Sequence, residues 1–266
     1  VELEITDMTD DGKGLGRLSG LAIFVAGAVP GDKVSARITR LKKRYALAET
    51  ITLLEASAAR VQPPCPYYQD CGGCSMLELS YDEQLRIKRQ NIITKLERIG
   101  ALEEPTVREV LGAADRIGAD GGQVGQIGRP GKSEETGQPE QIDSAGGAES
   151  EAFESMLRYR NKAEFAVAMT SAVPLVGFNK RGSNKIVDCT DCLLQKRATM
   201  AAANAVREIL KDKLLTVYDA RRGKGFLRGF TIKACEGTGE VMLIFTGTSK
   251  QLPNAEKVIY TISDAI

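Results

Sequence analysis

Histidine and tryptophan are absent from this chain of 266 residues, and aromatic residues make up only 5% of it. The lack of histidine removes the commonest general base and, after cysteine, the commonest zinc ligand, so metal binding would depend on cysteine or carboxylate. No apolar run approaches the roughly 20 residues that a membrane-spanning helix needs. The N-terminus lacks the basic and apolar regions of a signal peptide. These absences predict a cytoplasmic protein, and the start at Val1 suggests a fragment or a processed chain.

An excess of charge of one sign is also missing, since 36 Lys and Arg residues face 35 Asp and Glu residues, for a net charge of +1. Such a protein does not bind nucleic acid over its whole surface, so any contact with RNA must come from a local patch. The length predicts one to three domains, and the composition is typical of a soluble globular protein. We expect a monomer.

Short β patterns separated by glycine and proline turns fill residues 1–60, with Gly12, Gly14 and Gly16 in one expected loop. We count five strands, which in a segment of this length predict a small barrel of the OB kind. A basic run with one tyrosine lies on a predicted strand, turn and strand. Its residues are Arg37, Arg40, Lys42, Lys43, Arg44 and Tyr45. On an OB surface, cations follow phosphates and an aromatic ring stacks on a base, so we predict RNA binding here. The alternative is a charged hairpin tip that serves solubility.

Three of the six cysteines, Cys65, Cys71 and Cys74, are clustered, and Cys192 lies far downstream, three residues after Cys189. Four thiolates suit either tetrahedral zinc or an iron–sulfur cluster. The C-x5-C-x2-C spacing differs from the paired CxxC knuckles of a zinc ribbon and from the C-x3-C-x2-C loop of radical S-adenosylmethionine enzymes. It favours iron–sulfur over zinc, with unrelated buried thiols as a third interpretation. Cys235 alternates within a β pattern and is expected in the core.

The remaining sequence divides into a helix, an insertion and a mixed domain. A capping-box pattern at Ser80 predicts a helix from Asp82 to Ile99 with one basic face. Residues 113–152, rich in glycine and without Tyr or Trp, are expected to be a flexible insertion. Strand hairpins with helices over residues 153–266 predict an α+β domain. Arg160 and Lys162, alternating on a predicted strand, would share a face that holds a phosphate or the rim of a base pocket, unless they are simply exposed.

Together these motifs resemble the RNA uracil-C5-methyltransferases, of the 23S rRNA 5-methyluridine kind. The residues that carry the resemblance are 12–16 (GKGLG), 24–25 (FV), 41–46 (LKKRYA), 64–74, 159–162 (YRNK), 177–178 (GF), 186–188 (IVD) and Cys192. The resemblance implies that residues 1–60 form a TRAM domain, an RNA-binding barrel. It also implies that Cys65, Cys71, Cys74 and Cys192 hold a [4Fe–4S] cluster, with a structural role or a role in RNA binding.

The chemistry of that family requires a Rossmann-like domain that binds S-adenosylmethionine and a catalytic cysteine late in the chain. We find neither before Ile266, so we expect the catalytic domain to be absent, with no catalytic or cofactor-binding residue in this chain. The fold class expected is an all-β TRAM barrel followed by an α+β domain. The resemblance implies that the parent protein is a methyltransferase acting on 23S rRNA, and we expect the fragment alone to be inactive.

The resemblance also suggests a division of labour along the chain. Residues 1–60 would be the barrel, 61–81 the cysteine loop, 82–112 a helix and linker against the catalytic domain, and 153–266 the source of the fourth cluster ligand. Two other functions stay open from the sequence. One is a non-enzymatic RNA-binding or ribosome-associated module with a zinc or iron–sulfur knot, and the other is a ferredoxin-like electron carrier.

Overall fold

The computed structural model describes residues 1–112, 157–170 and 173–266. The insertion predicted at 113–152 lies outside the described residues. Contacts divide the chain into two compact units, of which the first contains residues 1–68 and 74–112 and the second contains residues 69–73 and 113–266. Among the described helices, none is long and apolar enough to cross a membrane.

The first unit contains a closed five-stranded barrel with the strand order β1-β2-β3-β5-β4. Its strands are β1 (Glu2–Met8), β2 (Gly14–Leu18), β3 (Leu21–Ala26), β4 (Lys33–Leu41) and β5 (Tyr45–Glu55). β3 and β5 pair in parallel, whereas the other neighbours are antiparallel. Alternate side chains, such as Leu3, Ile5, Val34 and Ala36, are buried and form the barrel core, as the period of two predicts.

Two glycines expected in a loop belong instead to β2. A Cβ on Gly14 would lie 2.7 Å from the carbonyl oxygen of Ala28, and one on Gly16 would lie 2.5 Å from the carbonyl oxygen of Glu4. The expectation of a loop was therefore wrong for both residues. Glycine is needed here because the neighbouring backbone leaves no room for a side chain.

A buried ion pair links the turn before β4 to the chain that leaves the barrel. The carboxylate of Asp32 is fully buried and accepts N–H groups from Val29 at 2.8 Å and Ser57 at 3.0 Å. Arg60 donates to the same carboxylate from Nε at 2.9 Å and Nη2 at 2.7 Å, and to Glu78 from Nη1 at 2.8 Å. Burial alone would raise the pKa of Asp32, but the hydrogen bonds from Arg60 and the backbone outweigh it and lower that pKa.

Helix α1 (Tyr81–Arg98) follows in the first unit, and each of its limits lies one residue before the predicted one. Ile87 is buried and packs with Met8, Val29 and Leu79. Ser80 stands at the N-cap, as the sequence predicts, although its side chain makes no capping hydrogen bond.

The second unit is built on an antiparallel sheet with the strand order β10-β9-β6-β7-β8. Its strands are β6 (Lys162–Met169), β7 (Pro174–Asn179), β8 (Ile186–Asp188), β9 (Leu227–Ala234) and β10 (Val241–Gly247). Helices α2 (Arg197–Lys211) and α3 (Ala255–Ala265) share its core. Phe165 stacks on Phe230 with ring centroids 5.0 Å apart, and Val206 and Ile209 of α2 are fully buried. The opposite face of the sheet carries the polar side chains of β6 and β9.

Candidate functional site

Cys71 lies on a short segment, residues 69–73, that pairs with the end of the β7–β8 hairpin. The N–H of Gly72 donates to the carbonyl oxygen of Asn179 at 3.0 Å, and the N–H of Arg181 donates to that of Asp70 at 2.9 Å. A Cβ on Gly72 would lie 3.0 Å from the same Asn179 oxygen. Glycine at this position therefore permits the close backbone approach that fixes Cys71 beside the hairpin.

Arg160 ties this segment to the turn that carries Cys192. Its Nη2 donates to the carbonyl oxygen of Gly73 at 3.2 Å, and its N–H donates to that of Leu194 at 2.9 Å. The sequence places Arg160 on a shared strand face with Lys162, whereas β6 begins only at Lys162. The structure thus gives Arg160 a positioning role within the cysteine region, and a role in RNA binding stays a prediction.

The thiol of Cys192 is set up to ionise at neutral pH. A hydrogen bond with Cys189 is the largest influence, and together with backbone N–H groups of Leu194 and Gln195 and the charge of Arg160 it outweighs burial and lowers the pKa to about 6. A thiolate is the form of cysteine that binds metal and attacks electrophiles. Cys192 therefore has the chemistry of a ligand or a nucleophile.

Replacing Cys189 with alanine is expected to raise the pKa of Cys192 towards that of an ordinary thiol. The variant removes the hydrogen bond that contributes most to the low pKa. The rate of alkylation of Cys192 by iodoacetamide, followed by peptide mass spectrometry against pH on metal-free protein in which Cys65, Cys71, Cys74 and Cys235 are serine, should have its midpoint near pH 6 in the parent and at a higher pH in the variant. An unchanged midpoint would contradict this account of Cys192.

Arg207 of α2 holds the cysteine turn in place from inside the unit. It is buried, with 6% of its surface exposed, and donates from Nη2 to the carbonyl oxygens of Val176 and Cys189, each at 3.0 Å. It also forms an ion pair with Asp188 at the end of β8. No sequence pattern singles out this arginine, because its partners lie on other elements.

The donor chemistry fits a thiolate-bound centre, but the described residues do not group as a ready ligand set. All six cysteines lie within the described ranges and none forms a disulfide. Within those ranges, no group of three or more Cys, Asp or Glu side chains is close enough to hold a metal ion. A centre held by Cys65, Cys71, Cys74 and Cys192 therefore stays a prediction.

The predicted basic run lies on the β4–β5 hairpin of the barrel, and all its side chains are exposed. Arg37 forms one surface ion pair, with Glu49 at 3.4 Å. Tyr45 is 38% exposed and meets Phe24 edge-on, with ring centroids 5.7 Å apart. Within the part of the chain that the structure describes, the other four cations, Arg40, Lys42, Lys43 and Arg44, make no ion pair. They are available to an external anion.

A second basic surface, of which sequence reasoning identified only Lys162, is a groove on the second unit with a volume of about 930 Å³. Lys162, Lys196 and Lys233 line it together with Tyr159. Cys235 also lines it and is exposed, so the expectation of a core position was wrong. The reason is that β9 ends at the preceding residue and the alternation stops there. Alternation within β9 could have placed Lys233 on an outward face, but the groove depends on pairings that no local pattern reveals.

Comparison with known proteins relates this chain to enzymes that modify RNA. Residues 1–51 match the TRAM domain family. The whole chain is 31% identical to an uncharacterised RNA methyltransferase of Listeria innocua and 29% identical to one of Halalkalibacterium halodurans, covering 50% and 49% of those proteins. The chain thus spans about half the length of the curated relatives it matches.

The crystal structure of a Pyrococcus abyssi tRNA (uracil-54, C5)-methyltransferase, in complex with S-adenosyl-L-homocysteine, is also similar. It matches 97% of this chain with a TM-score of 0.57 and 25% identity, and the match covers 48% of that enzyme. This finding contradicts the predicted fold class, which treated the chain as two domains without the methyltransferase domain. Because the methyltransferase structure matches almost the whole chain, the prediction that the methyltransferase fold is absent from this chain was wrong. The expectation of inactivity loses its basis as well. The chain has a TRAM domain at its N-terminus and RNA methyltransferases as its homologues.

Proposed function

We propose that this chain belongs to an S-adenosylmethionine-dependent RNA uracil-C5-methyltransferase and supplies part of its RNA-binding surface. The observation that carries the proposal is the match of 97% of the chain to a uracil-C5-methyltransferase structure. The TRAM match and the exposed cations of the barrel hairpin support it. We further propose that the enzyme acts as a monomer in the cytoplasm.

The barrel hairpin would contact the RNA backbone. Cations without an internal partner displace the counterions that surround the RNA when they meet its phosphates. This displacement gives affinity without sequence preference. Tyr45 adds a half-exposed ring on which a base can stack. The hairpin would therefore hold the RNA, while recognition of one uridine depends on other contacts.

The proposed substrate is 23S rRNA, by resemblance to the rRNA-modifying enzymes, and tRNA is the second candidate because the similar structure is that of a tRNA methyltransferase. The full-length gene product should transfer tritium from labelled S-adenosylmethionine to 23S rRNA transcripts. Nuclease digestion and mass spectrometry should then identify 5-methyluridine. Labelling of tRNA alone would favour the second candidate. Labelling of neither RNA would refute the proposed activity.

Replacing Lys42 and Lys43 with glutamine is expected to weaken RNA binding and to reduce the slope of log K against log salt by about two. Each lysine removed should eliminate about one phosphate contact. Fluorescence anisotropy with a labelled rRNA fragment measures both quantities. Lys33→Gln is the matched control, because Lys33 begins β4, which leads into the turn that carries Lys42 and Lys43, but already pairs with Glu55 at 2.9 Å. If the double variant binds RNA as well as this control does, the hairpin is not part of the RNA interface.

We also propose that Cys65, Cys71, Cys74 and Cys192 hold a [4Fe–4S] cluster when the protein is loaded. The cysteine spacing and the low pKa of Cys192 support this proposal. The cluster would brace the cysteine segments and take no part in methyl transfer. Protein purified without oxygen should contain about four iron and four sulfide per chain, and Cys192→Ser should lower both. Stoichiometric zinc without iron would contradict the cluster.

A further inference from the structure

The groove on the open face of the second unit's sheet brings like charges together. Lys162 of β6 and Lys233 of β9 are directly paired in the antiparallel register. Like charges in directly opposed positions destabilise a sheet. Lys196 lines the same groove. Because this arrangement does not stabilise the folded sheet, it indicates that the groove binds an anion.

The carboxylates around the groove do not fix these lysines. Lys162 pairs with Glu164 at 2.7 Å and Lys196 with Glu236 at 2.6 Å, but the two glutamate side chains are 72% and 80% exposed. Such surface ion pairs are weak, and the carboxylates are able to turn into solvent. Lys233 makes no ion pair with any residue the structure describes.

A further acidic side chain, Glu240, lines the groove and accepts a hydrogen bond from the hydroxyl of Thr238 at 2.9 Å. That contact holds one of its carboxylate oxygens. The lining itself contains three lysines and two glutamates, Glu236 and Glu240, and Glu164, the partner of Lys162, lies outside it. An incoming phosphate therefore meets a cationic floor with one unpaired ammonium group.

Exposed apolar surface stands beside the lysines. Tyr159 is 57% exposed and Met242 is 56% exposed, and both line the groove. Met242 is paired directly with Lys233 across β10 and β9. A ring and a thioether next to ammonium groups suit a nucleotide, whose base is flat and apolar and whose phosphate is charged.

We propose that this groove is a second RNA subsite that takes a single-stranded nucleotide, with its phosphate on Lys233, Lys162 and Lys196 and its base stacked on Tyr159. The proposal rests on the RNA-binding function proposed above. It is separate from the barrel hairpin, since all its residues belong to the second unit. The groove would therefore add affinity for an unpaired part of the substrate.

The test is binding of a short, labelled, single-stranded rRNA fragment to the full chain, to three groove variants and to one control variant. Lys233→Gln should weaken binding several-fold and reduce the salt slope by about one. Tyr159→Ala should weaken binding at least about fivefold, whereas Tyr159→Phe should bind like the parent because it keeps the ring. Lys257→Gln, an exposed lysine on α3 with the same loss of charge, is the matched control. Melting temperatures should be unchanged or, for Lys233→Gln, slightly raised, because repulsion from Lys162 is relieved.

Each outcome decides between the two proposals. If the parent binds RNA and the groove variants bind equally well with the same slope, the subsite is wrong and the proposed function stands. If lysine loss weakens binding to RNA and to polyglutamate alike and Tyr159→Ala changes neither, the groove is a non-specific anion patch and the subsite is overturned. If the parent binds no RNA, both proposals fail.

Discussion

Replacing Arg60 with methionine is expected to lower the free energy of unfolding by about 3 kcal/mol. The carboxylate of Asp32 is fully buried and receives two hydrogen bonds from this guanidinium. Methionine would leave the charge with only the N–H groups of Val29 and Ser57. Removing one partner of a buried pair is far more destabilising than removing both, because the remaining charge stays out of water. Urea denaturation at pH 7 measures the loss.

The pH dependence gives this prediction a signature that a packing defect lacks. In the parent, the pKa of Asp32 lies below its unfolded value, so its contribution is complete above about pH 4 and is lost as pH falls through the folded pKa. In the variant, burial dominates and raises the pKa of Asp32. Its ionised form then destabilises the fold, and protonation at low pH relieves this. The stability gap between parent and variant should therefore narrow as pH falls from 7 to 4.

The matched control for Arg60 is Lys33→Met, which removes an exposed ion pair with Glu55 from the same unit. Surface pairs of this kind contribute less than about 1 kcal/mol. Equal losses in the two variants, or a gap for Arg60→Met that does not change with pH, would show that the Asp32 charge is not what Arg60 stabilises.

Arg207→Met should destabilise the second unit by roughly 2 to 4 kcal/mol. The change deprives the carbonyl oxygen of Cys189 of its arginine donor and Asp188 of its ion-pair partner. The carbonyl oxygen of Val176 keeps the N–H of Cys189 at 3.0 Å, so the loss is smaller than the three contacts suggest. Thermal and urea denaturation measure the effect.

Arg207→Met has a second expected consequence, at the cysteine turn. Because the turn loses its anchor on α2, the hydrogen bond between Cys189 and Cys192 should loosen and the pKa of Cys192 should rise, slowing its alkylation at pH 7. Lys211→Met, one turn further along α2, is the control, since Lys211 pairs with Glu208 at the surface. If Cys192 in Arg207→Met reacts as fast as in the parent, Arg207 does not control the pKa of Cys192.

Local patterns predict the strands of the barrel but not the contacts that fix its charged residues. Alternation identifies β1 and β4, and Val34 and Ala36 are buried as expected. The same alternation fails for Ile38, which is 39% exposed, because both faces of β4 are exposed from Arg37 to Leu41. Asp32 reads as a turn residue, and its partner Arg60 lies 28 positions away. A pair of that separation leaves no periodic signal.

The cysteine region and the groove show the same limit. The spacing of the cysteines is visible in the sequence, yet the hydrogen bond from Arg160 to Gly73 joins residues 87 positions apart. Lys162 is prominent within a motif, but its opposition to Lys233 depends on the register of β6 against β9. Strand register is set by tertiary packing, so it becomes visible only in the folded sheet.

The parallel pairing of β3 with β5 bears on how the barrel is made during synthesis. β1, β2 and β3 are synthesised before β4 and β5, and when only these three strands are paired, both outer edges of the sheet lack partners. β4 pairs with one edge and β5 with the other, and the pairing of β4 with β5 closes the barrel. Nascent chains that pause before Glu55 would expose two unpaired strand edges, which is the state most prone to associate with another chain.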